Sequence, residues 1–399
     1  MTSTQSNRES NRDRLAQLDT FLSNTRSLWQ PQPFKQARPA WCDLYPQLTA
    51  ALLALTDERL QHFSDNPEDF LPWLVEQLPE LTPLLSWHEL PVKQASTVEL
   101  PGNRFFDGMG GRKRSQIEAF TRHSGQIDHS VVEWCGGKGH LGRLLGHSWH
   151  KPVTTLEWDA VLCEAGCVAA EKAGIDQVFH VTDVLQPDLP VALTHQHAVA
   201  LHACGELHRT LVRHSIKQTA AALDIVPCCY GLGCDDIYQP FTEGLSLQLQ
   251  KDDMRLAVTE TVTAGQREVV QRNKEMAWKL GYIELRKQQA GETGYRNIKP
   301  IRKSWLQMSF REFCQQLAQR EGLMLTDDAD WDRFEQLGWQ RQGEVMRLLL
   351  LRHSFRRPLE LWLVLDMVCA LEAAGYQVEY GTFCERQMTP RNIMISARC

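Results

Sequence analysis

The residues with the clearest chemical potential form a glycine series that follows a short apolar stretch. Val131 and Val132 are typical of a buried strand, and Gly137, Gly139 and Gly142 then fall at the G-x-G-x-x-G spacing. Such glycines let backbone amides and a helix N-terminus approach a polar ligand with no side chain in the way. The segment therefore predicts a strand, a glycine turn and a helix that together hold a polar ligand.

Carboxylates end three successive predicted strands. Glu133 stands just before the glycine turn, Glu157 lies twenty residues beyond Gly137, and Asp183 ends the next strand. An acid at the spacing of Glu157 is typical of a residue that binds ribose hydroxyls. Asp183 suits the amino group of an adenine. The pattern therefore predicts a bound nucleoside.

Two cofactors fit this pattern, a nicotinamide dinucleotide and S-adenosylmethionine. Glu133 beside the helix N-terminus would repel a pyrophosphate but suits the ammonium of a methionine moiety, which favours S-adenosylmethionine. The predicted cofactor contacts are Glu133, Cys135, Gly136, Gly137, Gly139, Leu141, Gly142, Glu157, Trp158, Asp183, Val184 and His202.

Short apolar strands alternate with helices through this region, which predicts a parallel sheet covered on both faces. After the glycine turn, the predicted strands are 152–157, 177–183, 197–205 and 223–229. A strongly apolar helix over 358–374 precedes strands at 376–384 and 391–397, which predict an antiparallel hairpin at the sheet edge. A similar pattern around Leu280 and Tyr295 is the alternative hairpin, and the later one contains the better strand.

The pattern predicts five segments along the chain. These are a disordered tail (1–12), a helical N-terminal domain (13–95), a cofactor-binding core (105–230), a mostly helical insertion (231–357) and a closing helix and hairpin of the core (358–399).

Composition limits the function classes. The 399 residues are 43% hydrophobic and 23% charged with a net charge of −6, which is ordinary for a globular protein and argues against nucleic-acid binding by bulk charge. The sequence shows no apolar run of membrane-spanning length and no secretory signal, so we expect a cytoplasmic protein without a membrane partner. There, the twelve cysteines would remain reduced thiols.

Three sequence segments resemble the methyltransferase-32 domain family. They are Lys113-Arg114 through the glycine turn, Leu201-His-Ala-Cys-Gly205-Glu-Leu, and Val226-Pro-Cys-Cys229. The resemblance covers about 105–230. That family is similar in its core to the eukaryotic tRNA 2′-O-methyltransferase and to methyltransferase-like proteins, and the helical first domain is similar to glutathione-transferase C-terminal-domain proteins. The resemblance implies a Rossmann-like class I methyltransferase sheet, S-adenosylmethionine as cofactor and RNA as substrate.

Candidate catalytic residues cluster after the fourth predicted strand. They are His202, Glu206 and His208, of which either histidine is a candidate general base for a hydroxyl acceptor. The competing interpretation makes His202 a strand residue bonded to backbone and His208 a surface residue. Candidate substrate contacts are Arg112, Lys113, Arg114, Cys228, Tyr230 and Arg391, and the basic segment 296–303 adds further positive charge.

The cysteines leave further alternatives open. Cys228 next to a proline is a candidate nucleophile for pyrimidine C5 methylation, although no acid precedes the proline-cysteine pair as that chemistry usually requires. Cysteines and histidines at 202–234 are candidate zinc ligands, but the absence of a CxxC pair favours small core residues and no metal.

For the whole chain, an RNA methyltransferase is the favoured function. A protein or small-molecule methyltransferase and a non-catalytic binding module that retains the cofactor pocket are the alternatives.

Overall fold

A seven-stranded sheet is the central element of the computed structural model, which describes residues 9–126, 128–259, 265–291, 295–326 and 328–399. The strands are β1 (Val131–Trp134), β2 (Val153–Glu157), β3 (Gln177–Val181), β4 (His197–Cys204), β5 (Ala222–Cys228), β6 (Gln377–Thr382) and β7 (Ile393–Arg398). Their spatial order is β3-β2-β1-β4-β5-β7-β6.

The first five strands are parallel. β1 lies between β2 and β4, with Val131 opposite both Val153 and His197. Because the parallel strands run in the same direction, their carboxyl ends meet at one edge of the sheet, where ligands of open α/β sheets bind. The glycine turn and the residues that follow β2, β4 and β5 therefore share this edge.

The last two strands are antiparallel. β7 pairs with both β5 and β6, and β6 forms the edge of the sheet. This arrangement confirms the predicted α/β class and the closing hairpin. The alternative hairpin is excluded because Leu280 lies inside a helix over Gln266–Ala290.

Helices account for most of the remaining described chain. The α-helices are α1 (Asn11–Asn24), α2 (Arg26–Trp29), α3 (Trp41–Leu44), α4 (Pro46–Leu53), α5 (Asp57–Asp65), α6 (Pro67–Gln77), α7 (Pro83–His88), α8 (Gly111–His123), α9 (His140–Trp149), α10 (Ala160–Ala173), α11 (Glu206–Gln218), α12 (Lys251–Val258), α13 (Gln266–Ala290), α14 (Phe310–Glu321), α15 (Trp331–His353) and α16 (Arg356–Ala373). Single-turn 3₁₀ helices cover Pro79–Leu81, Asn103–Phe106 and Lys303–Gln307. Of the predicted disordered tail, residues 1–8 lie outside the described residues, and α1 begins within its remainder.

The chain divides into two compact units. The first comprises the described residues of 1–24, 86–263 and 356–399, and it contains the sheet. Its core includes Phe120 from α8, Leu144 from α9, Val199 from β4 and Met394 from β7, all fully buried. The packing of α8 and α9 against this core fixes the helix that follows the glycine turn.

The second unit comprises the described residues of 25–85 and 264–355. Its main hydrophobic cluster is formed mostly by α13, α14 and α15, with Trp278, Phe313 and Phe334 buried at its centre. The unit thus combines part of the predicted N-terminal domain with part of the predicted insertion, and the predicted segment boundaries themselves stay predictions.

No helix in the part of the chain that the structure describes is both long enough and apolar enough to cross a membrane.

Candidate functional site

The turn between β1 and α9 has an unusual backbone. Cys135, Gly137 and Gly139 have φ angles of +54°, +61° and +62°. A glycine adopts this left-handed region without steric cost, whereas a residue with a side chain is strained there. A Cβ added to Gly137 would meet no atom within 4 Å, so the turn is open on this side. The predicted strand, glycine turn and helix are present, and the turn leaves room for a ligand at Gly137.

The other glycines of the turn serve close packing. A Cβ on Gly136 would lie 2.5 Å from Thr155 Cγ2, and one on Gly142 would lie 2.5 Å from Glu133 Oε2. A Cβ on Gly139 would similarly lie 2.3 Å from Gln177 Nε2. Leu141, another predicted cofactor contact, is buried in the hydrophobic core. These four residues therefore pack the turn against the neighbouring strands and the hydrophobic core.

Glu157 joins the end of β2 to the glycine turn. Its Oε2 accepts a hydrogen bond of 2.8 Å from the Gly137 amide, and its Oε1 accepts bonds from the amides of Trp158 and Asp159. Trp158 is 78% exposed directly beside it. The acid predicted to bind ribose hydroxyls is therefore fixed by three backbone amides and is only 6% exposed, with an exposed indole next to it.

Glu133 lies under the turn. Only 3% of its surface is exposed, and its Oε2 accepts hydrogen bonds from Thr155 Oγ1 (2.9 Å) and Gln177 Nε2 (3.5 Å). Burial raises the pKa of Glu133 to about 7, although the bonds from Thr155 and the Gly142 amide oppose the shift. The carboxylate oxygen thus faces the sheet interior, whereas the sequence-based interpretation predicts that it contacts the ammonium group of the cofactor.

Thr155 and Gln177 were missed by the sequence-based prediction. Gln177 Nε2 also donates to the Gly139 carbonyl (3.0 Å) and to Thr155 Oγ1 (2.8 Å), so it ties β3 to the glycine turn. The available signal was a polar residue in each of the strands β2 and β3, and both residues are buried in the structure. Their side chains hold Glu133 in place.

Asp183 follows β3 and is exposed. Its carboxylate accepts bonds from the Leu185 amide (3.0 Å) and from Gln186 Nε2 (3.3 Å), which fixes the turn after the strand. The next residue, Val184, is buried. An exposed carboxylate at this strand end is suitably placed for a polar ligand group, whereas Val184 anchors the loop.

Positive charge gathers beside the glycine turn. Lys113, Lys138 and Arg143 lie close enough to Glu133 and to one another for their charges to shift neighbouring pKa values. Burial, with the charges of Lys113 and Arg143, lowers the pKa of His140 to about 4. The neutral ring Nδ1 accepts a bond of 2.6 Å from Arg143. This group of cations matches an anionic ligand group such as a carboxylate.

Arg112 and Arg114, the neighbours of Lys113, differ in their surroundings. Arg114 bonds to Glu118 (2.7 Å) and stacks over the Phe106 ring at 4.1 Å. Arg112 is exposed near the start of α8. The guanidinium of Arg114 thus stabilises the fold locally, and Arg112 and Lys113 supply the exposed charge.

The end of β4 carries the predicted catalytic residues. The pairing of β4 with β5 shifts register between Leu201 and Cys204, and His202 within this bulge has a φ of +63°. Burial, together with the nearby charge of Arg391, lowers the pKa of His202 to about 4. Its imidazole is therefore neutral at physiological pH, as a general base must be.

His208 and Tyr230 are interior residues. His208 is 1% exposed, its Nδ1 bonds to the Ala203 carbonyl (3.0 Å), and its ring meets the Tyr230 ring edge to face at 5.6 Å. Tyr230 is also fully buried. The alternative interpretation of His208 as a surface residue is wrong, and its bond to a carbonyl gives it a structural role.

Glu206 begins α11 as part of an ion-pair group. Although burial alone would raise its pKa, its hydrogen bond with Arg213 and the charge of Arg209 lower the pKa below its ordinary value. Cys234 also donates to Glu206. Glu206 is thus an ionised carboxylate held by two arginines.

Three cysteine thiols meet where β4 and β5 end. The Sγ atoms of Cys204, Cys228 and Cys229 all lie within 4.8 Å of one another. Arg391 lies near this group, close enough for its positive charge to act on both Cys204 and Cys229. The substrate contacts predicted at Cys228 and Arg391 therefore share one region with His202.

The model of a known protein family matches most of this region. Residues 113–232 match the model of a family described as a methyltransferase domain. This part of the chain is a class I methyltransferase domain. The match confirms the resemblance, the enzyme class and S-adenosylmethionine as the cofactor of that class.

Curated relatives match this chain over only part of their own length. The chain is 24% identical over 151 residues to the human glutathione S-transferase C-terminal domain-containing protein, which covers 37% of this chain and 23% of that protein. The mouse protein of the same name is 28% identical over 151 residues, with the same coverage. The chain thus spans about a quarter of the length of these relatives.

Solved methyltransferase structures are similar over part of the domain. The tRNA (uracil-54, C5)-methyltransferase of Pyrococcus abyssi, solved with S-adenosyl-L-homocysteine, has a TM-score of 0.24 and 15% identity over 29% of this chain and 28% of that chain. The geranyl diphosphate C-methyltransferase of Streptomyces coelicolor has a TM-score of 0.26 and 16% identity over 36% of this chain and 61% of that chain.

The methyltransferase domain fits its cofactor. Gly137 leaves space for the ligand, the Glu157 carboxylate is bonded to the Gly137 amide, Trp158 is exposed next to Glu157, and the cations around Lys113 lie beside the turn. Glu157, Trp158 and the cations would be the acceptor, aromatic and cationic partners of an adenosine ribose, an adenine face and a methionine carboxylate. The residues present therefore suit S-adenosylmethionine.

Proposed function

We propose that this chain transfers a methyl group from S-adenosylmethionine to RNA. One observation carries the cofactor part of the proposal: the Gly137 amide donates to the Glu157 carboxylate at 2.8 Å, and the turn is open at Gly137 itself. The cofactor supplies a methyl group on a positively charged sulfur, and an in-line displacement mainly requires that the acceptor be held in place.

Different residues bind the cofactor, remove the proton and orient the acceptor. Glu157 and the exposed Trp158 hold the nucleoside, and Lys113 and Arg143 hold the carboxylate of the methionine part. His202, neutral because burial lowers its pKa to about 4, takes the proton from an acceptor hydroxyl. Arg391 lies on the same side and orients the acceptor.

RNA is favoured over other acceptors by the positive charge at the rim of the turn. Beside Lys113, which holds the cofactor, Arg112 and Lys138 are also exposed. Basic side chains of this kind pair with phosphates. The net charge of −6 restricts the attraction to this rim. A cytoplasmic location belongs to the same proposal.

The first test measures cofactor binding by titration calorimetry with the Glu157→Ala variant. We expect the wild-type protein to bind S-adenosylmethionine and the variant to bind it at least about tenfold more weakly, since one to two charged hydrogen bonds are lost. Glu164→Ala, at an exposed position of α10, is the matched control and should bind normally. Tight binding of NADH without S-adenosylmethionine binding would defeat the proposal.

The second test identifies the acceptor. The protein is incubated with cofactor carrying a labelled methyl group and with separate RNA, protein and small-molecule fractions. Label in RNA, lost in the His202→Gln variant, is the expected result. Label in protein or small molecules alone would refute the RNA assignment, and cofactor binding without any transfer would support a non-catalytic binding module.

A further inference from the structure

A three-thiol group lies at the ends of β4 and β5. Cys204 Sγ lies 3.2 Å from Cys228 Sγ, and all three Sγ atoms lie within 4.8 Å of one another. All three cysteines are free, and Cys204 and Cys229 are partly exposed whereas Cys228 is buried. A solvent-borne ion therefore has access to the group.

The backbone departs from ordinary strand geometry where this group forms. Side chains of consecutive residues in an extended strand point to opposite faces, so Cys228 and Cys229 would normally diverge. Cys229 instead has a φ of +47°, which brings its thiol back beside that of Cys228. A non-glycine residue in this region is strained, and such strain persists where the surrounding structure enforces it.

A second departure aligns Cys204. The register shift after Leu201, with His202 at a φ of +63°, makes Cys204 the direct neighbour of Cys228 in the sheet. Two separate irregularities, one in each strand, therefore bring thiols together that are 24 residues apart in the chain. Ordinary core cysteines require neither irregularity.

We propose that Cys204, Cys228 and Cys229 bind a Zn²⁺ ion through three thiolates. A tetrahedral Zn²⁺ with Zn–S bonds of about 2.3 Å requires sulfur atoms about 3.8 Å apart, so the sulfur–sulfur separations would change by at most about 1 Å. Thiolates exclude hard cations such as Mg²⁺ and Ca²⁺ as the preferred ions. Three S–H protons leave as three Zn–S bonds form.

The surroundings suit such a site. Three thiolates and one Zn²⁺ carry a net charge of −1, and the positive charge of Arg391 acts on Cys204 and Cys229. Three protein ligands leave the fourth position of a tetrahedral ion to a water or to a donor atom of the acceptor. This site does not depend on methyl transfer, and it reverses our sequence-based expectation of no metal.

The experiment measures zinc in the full-length protein purified under reducing conditions without added chelator. We expect about one zinc ion per chain by elemental mass spectrometry. On Co²⁺ replacement, the wild-type protein should show sulfur-to-cobalt charge-transfer absorption and the strong visible bands of a tetrahedral ion. Each of Cys204→Ser, Cys228→Ser and Cys229→Ser should weaken Zn²⁺ binding by more than about a hundredfold, since even residues that only support a ligand contribute ten- to a hundredfold.

Cys234→Ser provides the matched control. Cys234 is also partly exposed and follows shortly after the group, but its thiol donates to the Tyr230 carbonyl at 3.1 Å and lies outside the group. This variant should keep its zinc. Equal zinc content in the triple serine variant, or no zinc in the reduced wild-type protein, would overturn the proposal. Circular dichroism identifies variants that fail to fold, and the Co²⁺ spectrum of the wild-type protein tests the proposal without any variant.

Discussion

Glu133 shows how a single residue connects sequence, stability and site geometry. Its carboxylate lies under the glycine turn, bonded to side chains from β2 and β3, and burial raises its pKa to about 7. At neutral pH the protonated and ionised forms therefore coexist. The residue that the sequence marks as a cofactor contact thus also makes the packing of the turn dependent on pH.

The Glu133→Gln variant should change the pH dependence of stability. A carboxyl whose folded pKa exceeds its unfolded value of about 4.5 stabilises the fold fully below that value, and this contribution is lost as the pH rises through about 7. The shift corresponds to about 3 kcal/mol in the free energy of unfolding. Urea unfolding between pH 4.5 and 8 should show the wild-type protein losing about this much relative to the variant. A constant difference between the two proteins would contradict the prediction, and Glu164→Gln should behave as wild type.

At the scale of the secondary-structure elements, the main feature of the site is the tight packing of the glycine turn against β2 and β3. Gly142 in α9 approaches Val153 of β2 so closely that an added Cβ would lie 2.8 Å from Val153 Cγ1. The backbone of α9 therefore packs directly against the Val153 side chain, with no side chain of its own at this position. The position of the turn at the sheet edge depends on this contact.

Gly142→Ala should destabilise the protein by about 1–3 kcal/mol, because the added methyl group overpacks a site bounded by Glu133 and Val153. Gly111→Ala is the matched control: it lies in α8, where an added Cβ meets no atom within 4 Å. That change should leave stability unchanged or raise it by up to about 1 kcal/mol. Equal midpoints for the two variants in urea would show that the turn tolerates the added methyl group.

Local sequence signals predicted the strands of the domain well. They predicted the contacts between residues of different strands less well. Strand patterns located β1 to β5 within a few residues, because apolar runs with flanking turns are local features. The burial of Glu133 was not foreseeable, because Thr155 and Gln177 reach it only through strand pairing. The meeting of Cys204 with Cys229 depends on two backbone irregularities that leave no local signal.

At the scale of the whole molecule, the second unit is assembled from two distant parts of the chain. Arg347 in α15 donates to the Leu55 carbonyl (2.7 Å) and pairs with Asp57 at 2.6 Å, nearly three hundred residues away in sequence. Contacts of α15 with α2, α4 and α5 accompany this pair. The two parts are separate segments in the sequence-based prediction, because no periodic pattern indicates which distant helices pack together.

Arg347→Ala should lower the stability of the second unit by about 1–2 kcal/mol, since a buried carbonyl loses a charged donor. Arg333→Ala is the matched control, because Arg333 is exposed on the same helix. Thermal unfolding followed by circular dichroism should separate the two variants. An equal effect of both substitutions would show that the pairing at Leu55 contributes little.

The position of β7 has a consequence for synthesis of the chain on the ribosome. β5 is entirely buried and ends at Cys228, but its neighbour β7 begins only at Ile393, more than 160 residues later. At about 5–20 residues per second, the nascent β5 lacks that neighbour for roughly ten to thirty seconds. Throughout this interval its unpaired edge of backbone N–H and C=O groups is a template for pairing with other nascent chains, so the yield of native protein should depend on chaperones that shield it during translation.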